Sequence, residues 1–157
     1  MAGKSFRELI VWERAMQLAV YAYRLTLLLP REEKFAIGDQ MRRSAVSIPS
    51  NIAEGNARGP KEMVHFLQYA QGSRVELETQ VEICYRVGYI TEAHLRQHIE
   101  LSTEVGRMIS SMIKTLSKYY FDSTLYPLPS TLYSPPSTLY PLPSTLYPLT
   151  PYSICLP

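Results

Sequence analysis

Residues 9–29 read LIVWERAMQLAVYAYRLTLLL, without glycine or proline, and Pro30 follows directly. Sixteen of these 21 residues are apolar. A helix on the surface of a globular domain has an apolar stripe a little over ~100° wide, whereas here apolar side chains cover most of the circumference. The pattern predicts a first helix that is buried on two sides, once in its own bundle and once against another chain.

The second helix is predicted from about Glu33 to Asn56, since apolar residues recur there at three-to-four spacing. Pro49 lies inside this segment and removes one backbone hydrogen bond, so a kink is expected there. The segment Gly55–Gly59, with the sequence GNARG, is predicted to be a loop.

Two more helices follow the predicted loop. Pro60 suits the first turn of the third helix, and Gly88 fits its C-terminal cap. Thr91 is suited to the N-cap of the fourth helix, whose apolar stripe extends from Leu95 to Leu116. No segment before residue 121 has the period-two pattern of a strand. Four helices with short connections predict an all-α fold, an antiparallel up-down-up-down four-helix bundle.

The composition changes abruptly after the fourth helix. All 16 Lys and Arg residues lie at or before Lys118, whereas residues 123–157 contain no charged residue and nine of the 12 prolines. We therefore place the four-helix bundle in residues 1–121, which carry a net charge of +3. Residues 122–157 are predicted to be a disordered, low-complexity tail.

This tail repeats the unit STLYPLP with a period of seven residues. Proline in every repeat is incompatible with a coiled coil. The seven-base DNA unit TCTACCC, read continuously in triplets, encodes the whole repeat, so one hypothesis is that the tail is translated simple-sequence DNA. The alternative is a polyproline-type ligand for an aromatic-lined groove, although such ligands usually carry a flanking charge.

Several classes of protein are disfavoured by simple counts. The longest apolar run in residues 1–120 is Leu18–Tyr23, six residues, whereas a helix that spans a bilayer needs ~20. The first residues contain no apolar run of the kind found in a secretory signal. Two cysteines, Cys84 and Cys155, cannot form a disulfide framework or a four-ligand zinc site. We expect a cytoplasmic protein that does not associate with a membrane.

Candidate catalytic residues are sparse. His94 and His98 share a helical face, but no third metal ligand accompanies them, so solvated histidines on the polar side of the fourth helix are expected. Cys84 lies on an apolar face and is expected to be an inert core residue. The segment Gly55–Gly59 lacks the Gly-Lys-Ser/Thr ending of a phosphate-binding loop. These observations predict no enzyme activity, no metal and no cofactor.

Polar residues recur beside Pro49 at three-to-four spacing, namely Arg43, Ser47, Asn51 and Glu54. They predict a hydrogen-bonded polar seam between helices or subunits. A structural role is favoured over a catalytic one, because no His or Cys accompanies them. Arg74 and Glu78 are four residues apart and predict an ion pair on the surface of the third helix.

The segment 42–55, RRSAVSIPSNIAEG, resembles the signature of the four-helix-bundle proteins encoded in intervening sequences of bacterial 23S ribosomal RNA genes. Leu9–Trp12 and the third-helix segment Phe66–Glu78 are similar to this family as well. The resemblance covers about residues 5–118 and implies a bundle that assembles as a homopentamer. It extends more remotely to the accessory proteins of diversity-generating retroelements, which bind a reverse transcriptase and nucleic acid.

Four basic residues around the second helix and the segment after it are candidate phosphate contacts, namely Arg42, Arg43, Arg58 and Lys61. A monomer with a net charge of +3 would bind nucleic acid weakly, but fivefold assembly would multiply the contacts. The leading hypothesis is a non-enzymatic oligomeric adaptor that binds RNA, DNA or a nucleic-acid enzyme such as a reverse transcriptase. The alternative is a purely structural homo-oligomeric protein that binds no nucleic acid.

The first helix supplies the candidate oligomer interface, which consists of Trp12, Val20, Tyr21 and Leu27. Burial of one large apolar side chain contributes about 1.5–3 kcal/mol. We therefore expect a few such residues to hold two subunits together.

Overall fold

The computed structural model describes residues 5–120, with side chains through residue 118. Within this range the chain forms four long helices, confirms the predicted all-α class and contains no strand. The helices are α1 (Ile10–Leu27), α2 (Ile37–Arg58), α3 (Pro60–Arg86) and α4 (Glu92–Tyr120). Short 3-10 helices, Phe6–Glu8 and Glu33–Phe35, precede α1 and α2. The predicted tail, residues 122–157, lies outside the described residues.

Contacts between side chains establish an antiparallel up-down-up-down bundle. Ser47 of α2 lies 2.8 Å from Ser73 of α3, measured between the hydroxyl oxygens. Arg14 of α1 forms a 3.0 Å ion pair with Glu104 of α4. One end of the bundle, here called the Gly59 end, therefore contains the start of α1, the α2–α3 connection and the end of α4. The opposite end, called the Gly88 end, contains the α1–α2 and α3–α4 connections.

All four helices contribute to one apolar core. Leu18 of α1, Met41 of α2, Leu67 of α3 and Ile109 of α4 are completely buried. The first helix also has apolar side chains that face away from this core, as the sequence predicts: Val20 is 46% and Leu27 is 72% exposed. None of the helices in residues 5–120 is long and apolar enough to cross a membrane.

The predicted loop at Gly55–Gly59 is wrong. The helix α2 continues through Gly55 to Arg58, and Gly59 alone connects it to α3. Gly59 has a φ of 101°, which favours glycine. Gly55 is buried, and a Cβ placed on it would lie 2.7 Å from both Met63 Sδ and Phe66 Cβ. The glycine that suggests a loop is therefore a packing residue that brings α2 and α3 together.

The predicted signals at the α3–α4 connection are confirmed. Gly88 has a φ of 83°, its N–H donates to Tyr85 O, and the N–H of Tyr89 donates to Cys84 O. This is the hydrogen-bond pattern of a Schellman cap. Thr91 then caps α4, because its hydroxyl accepts from the N–H of His94 while His94 Nδ1 accepts from the N–H of Thr91. The reciprocal pair resembles a capping box with histidine in the place of glutamate.

The close approach of α2 and α3 predicts that Gly55→Ala destabilises the bundle. The added methyl group meets the side-chain base of Phe66 and the sulfur of Met63, so the helices must separate, at a cost of about 1–3 kcal/mol. Gly72→Ala is the matched control, since Gly72 lies inside α3 with no atom within 4 Å of its would-be Cβ. This control is expected to stabilise by about 0.5–1 kcal/mol. Urea unfolding measures both effects, and equal stability of the two variants would contradict the prediction.

Candidate interaction surfaces

An apolar groove of about 540 Å³ lies on the outside of α1 and α2. Its lining includes Phe6, Trp12, Met16, Val20, Val46 and Pro49. The rings of Phe6 and Trp12 meet edge to face with their centroids 5.2 Å apart, so the 3-10 helix before α1 closes one side of the groove. Apolar side chains arranged around an open depression favour contact with another macromolecule.

The structure separates the four residues of the predicted oligomer interface. Trp12 and Val20 line the groove, and Leu27 extends the same outward stripe of α1 by two helical turns. Tyr21 is different, because it is buried in the bundle core and its hydroxyl donates to His94 O at 3.0 Å. Burial raises the pKa of Tyr21. The assignment of Tyr21 to an outward-facing interface is therefore corrected to a core residue that joins α1 to α4.

Further exposed apolar residues lie on α3 and at its C-terminal end. Tyr69, Ile83 and Val87 are 62%, 45% and 54% exposed. Ile83 and the C-cap residue Val87 lie one turn apart, whereas Tyr69 lies about four turns earlier, with the exposed Glu76 between them. These residues therefore form no continuous apolar face along α3.

The four predicted phosphate contacts do not form one cluster. Arg42 and Arg43 lie near the start of α2, whereas Arg58 and Lys61 lie at the Gly59 end. Arg58 follows Arg42 by sixteen positions in the same helix, so the two lie about 24 Å apart along the helix axis. A single patch that contains all four is therefore excluded within one protomer.

Three of the four cations already have partners. Arg42 donates to Lys34 O at 2.6 Å and to Thr26 Oγ1 at 3.2 Å, so it holds the α1–α2 connection against α2. Arg43 forms an ion pair with Asp39. Arg58 pairs with Glu54 at 2.6 Å and lies over the ring of Phe66.

Lys61 differs from the other three candidates. It is exposed in the first turn of α3. Among the described residues, no carboxylate lies within ion-pair distance of its ammonium group. Of the four candidates, Lys61 thus retains the most available positive charge.

The predicted polar seam is shorter than the spacing suggests. Ser47 contacts Ser73 of α3, and Asn51 Nδ2 donates to Ser47 O and Ser47 Oγ at 2.8 and 3.0 Å. Arg43 and Glu54 instead form ion pairs within α2. Ser47 and Asn51 therefore link two helices of one protomer, and the outer two residues of the predicted seam do not join them.

A polar network between α3 and α4 is more extensive than the sequence indicates. Arg74 is only 13% exposed, and its Nη1 donates to Glu78 Oε2 at 2.6 Å and to Ser102 Oγ at 2.7 Å. The hydroxyl of Ser102 donates to the same carboxylate oxygen of Glu78 at 2.7 Å. A Cβ on Gly106 would lie 3.0 Å from Arg74 Nε. A glycine in the middle of a predicted helix was the sequence signal for this close contact.

The expectation of two solvated histidines is wrong for His98, whereas His94 is partly exposed. His94 is used in the cap of α4, as described above. His98 is completely buried, and neither of its ring nitrogens has a hydrogen-bond partner. Burial lowers the pKa of His98 to about 4, although the carboxylate of Glu78 opposes the shift. The histidine of the folded protein is therefore neutral near pH 7.

The structure offers little for catalysis or metal binding within the described residues. No group of three or more His, Cys, Asp or Glu side chains there could hold a metal ion. Cys84 is buried, and its thiol lies 3.6 Å from Met41 Sδ. Burial raises the pKa of Cys84 to about 11, so the reactive thiolate is scarce. The predicted position of Cys84 in the core is confirmed.

Comparisons with known proteins agree with this architecture. The family model described as 23S rRNA-intervening sequence protein matches residues 7–111, more than half of the 157 residues. The chain belongs to the 23S rRNA-intervening sequence protein family. The matched region contains the signature segment 42–55 and all of α1, α2 and α3.

A solved structure supports the fold of this 23S rRNA-intervening sequence protein. It is the crystal structure of a protein with unknown function from the S23 ribosomal protein family of Bacteroides thetaiotaomicron. The two chains are 27% identical with a TM-score of 0.62, and the match covers 67% of this chain and 99% of the other. No curated protein matches this chain. Neither the family description nor the description of this solved structure names a catalytic activity.

The buried neutral histidine predicts a specific loss of stability in acid. In the unfolded chain His98 has its ordinary pKa of 6.5, whereas in the folded protein its pKa is lowered to about 4. The unfolded state therefore binds more protons between these values, and the free energy of unfolding falls as the pH is lowered. The histidine contributes a loss on the order of 2–3 kcal/mol between pH 7.5 and 4.5.

Urea unfolding of wild type and His98→Leu at these two pH values measures this loss. Leucine cannot bind a proton and is of similar volume, so the variant is expected to lose less stability in acid than the wild type. The other ionisable groups are the same in both proteins and act as the internal control. An equal loss in both proteins would contradict the prediction.

Proposed function

We propose that this 23S rRNA-intervening sequence protein is a non-enzymatic, homo-oligomeric adaptor. The observation that carries the proposal is the apolar surface of α1 and α2, where Trp12 and Val20 line a groove of about 540 Å³ and Leu27 is 72% exposed. Large apolar side chains grouped on one surface are characteristic of protein–protein contact. The family match supports the fold but leaves the activity open.

The energetics favour association of copies. Each large apolar side chain that leaves water contributes about 1.5–3 kcal/mol. Ile83 and Val87 are exposed as well, so the groove of one copy can pair with a different apolar site on its neighbour. When two different surfaces pair, each copy contacts two neighbours, and the assembly closes into a ring if the rotation permits. A homopentamer, the number implied by the sequence resemblance, is one such ring.

A charge on the outward stripe of α1 is predicted to break this assembly. Val20→Glu and Leu27→Glu each place a carboxylate that would lose water without gaining a partner. Both residues are exposed in the single chain, so the bundle should remain helical while the mass per particle falls to that of a monomer. Light scattering coupled to gel filtration measures the mass, and circular dichroism measures the helix content.

The matched control is Ala93→Glu, which places the same charge on an exposed position in the first turn of α4. A carboxylate there is favourable to the helix dipole, and Ala93 is not among the residues that line the groove. This variant is expected to keep the oligomeric mass of the wild type. A wild type that is monomeric at micromolar concentration would contradict self-assembly.

Binding of RNA or DNA is the second part of the proposed function. Its support is the positive charge at the Gly59 end, where Lys61 is exposed and Arg58 lies beside the one-residue connection. A ring of copies would present this charge several times, and repeated weak contacts raise the overall affinity. A nucleic-acid enzyme such as a reverse transcriptase, which the remote resemblance suggests, is a further proposed partner.

A mobility-shift titration tests this part of the proposal. Wild-type protein is expected to bind RNA or DNA at low salt with little sequence preference, because phosphate contacts carry no base information. Arg58→Glu combined with Lys61→Glu is expected to weaken binding while the oligomeric mass stays unchanged. Absence of wild-type binding at low salt would leave the alternative, a purely structural homo-oligomeric protein.

A further inference from the structure

The C-terminal half of α4 has a distinctive exposed stripe, here called the α4 stripe, which consists of Arg107, Ser110, Ser111, Lys114, Thr115 and Lys118. All six side chains are exposed. They lie at successive three- and four-residue intervals, so they form one face of the helix over about 16 Å. The helical segment 105–120 contains three cations and no acidic residue.

The three cations of the α4 stripe have available charge. Among the described residues, no carboxylate lies within 4 Å of Arg107, Lys114 or Lys118. Most other arginines of the bundle pair with an acid one helical turn away, as Arg86 does with Glu82. Seven ion pairs occur in the described part of the chain, six of them between residues one helical turn apart, and none involves the stripe.

Compensation of the helix dipole does not account for this arrangement. Cations near the C-terminus of a helix are favourable, but the effect is confined to its last turn. Only Lys118 lies in the last turn of α4. Arg107 is 13 residues before the end of the helix and Lys114 is six residues before it. Two of the three cations therefore have no role in capping the helix.

A cleft begins beside Arg107 and gives the α4 stripe a concave edge. It has a volume of about 440 Å³ and lies between α3 and α4. Its lining includes Gln71, Arg74, Glu78, Thr103, Arg107 and Ser110. The charge of Arg74 is balanced by Glu78, so Arg107 is the cation of the cleft that is free to bind an anion. The amide and hydroxyl groups around it are donors of the kind that hold phosphate oxygens.

We propose that the α4 stripe binds the phosphate backbone of a nucleic acid. This inference rests on the proposed nucleic-acid function and adds the α4 stripe to the cationic residues at the Gly59 end. Lys61, in the first turn of α3, and Lys118, in the last turn of α4, lie at that same end of the bundle. The stripe contains no apolar side chain, whereas the centre of a protein–protein interface is apolar and depleted of charge. Interfaces with DNA are polar and strongly positive, as this surface is.

The α4 stripe makes a quantitative prediction about salt. Three cations that each neutralise one phosphate of a duplex contribute about −2.7 to the slope of log affinity against log salt for each bound protomer. Between 50 and 200 mM salt these contacts alone weaken binding by about 40-fold. The contacts should not discriminate between base sequences, because no aromatic side chain on the stripe is available to stack on a base.

The test compares two triple variants of the full chain in duplex-binding titrations at several salt concentrations. The first is Arg107→Gln, Lys114→Gln and Lys118→Gln. The matched control removes the same charge from three exposed residues at the Gly88 end, and consists of Arg24→Gln, Arg31→Gln and Arg86→Gln. We expect the α4 variant to bind at least about tenfold more weakly at 50 mM salt with a shallower slope, and the control to bind as the wild type does. Circular dichroism and light scattering verify that both retain helix content and mass.

Equal binding by the two triple variants would overturn the assignment of the α4 stripe. If the α4 variant binds as the wild type does while the Arg58→Glu, Lys61→Glu variant does not, the proposed nucleic-acid function stands and only the stripe fails. No binding by the wild type would reject both. Displacement of the duplex by polyglutamate at equal charge concentration would assign the stripe to an acidic protein and overturn the nucleic-acid assignment.

Discussion

The backbones of α2 and α3 approach closely because Gly55 has no side chain. Met63 and Phe66 occupy the space that a Cβ at this position would fill. The approach lets the chain reverse direction at Gly59, a single connecting residue with a φ of 101°. It also sets the register that brings Ser47 to Ser73 and Met41 to Cys84 farther along the two helices. The α2–α3 hairpin is thus the frame against which α1 and α4 pack.

A glycine also allows close contact between α3 and α4, but the side chain that it accommodates there is polar. Gly106 leaves room for the guanidinium of Arg74, which reaches Ser102 of the opposite helix while it pairs with Glu78. A largely buried charge is tolerated only when its hydrogen bonds are satisfied, and here the carboxylate and the hydroxyl satisfy them. His98, buried near this network, remains neutral because desolvation outweighs the attraction of Glu78. The neutral form of His98 therefore has the lower free energy in the folded state.

The outer surfaces of the bundle differ in chemistry according to the helix that supplies them. The side formed by α1 and α2 is apolar and concave, whereas the C-terminal half of α4 is cationic and bordered by hydroxyl groups. This separation suits the proposed function, since copies could associate through the first surface and leave the second accessible. The two cations near the start of α2 are poor candidates for a ligand, because Arg42 and Arg43 are each used in contacts within the protomer.

The sequence by itself determined the helical class, the number of helices and several of their ends. Those features depend on local chemistry: the periodicity of apolar residues, Pro60 in a first turn, Gly88 in a Schellman cap and Thr91 at an N-cap. The signature segment 42–55 likewise indicated the family, because such a motif is read from the order of residues alone.

Only the tertiary structure decided the roles that depend on neighbours distant in the chain. Gly55 resembles a loop residue until Met63 and Phe66 are seen against it. Tyr21 and Val20 are adjacent in a helix that is apolar almost all round, and only the position of α4 shows that Tyr21 faces the core. His98 has polar neighbours in sequence but is completely buried in space. Helical periodicity specifies which residues share a face, whereas burial depends on which helix that face meets.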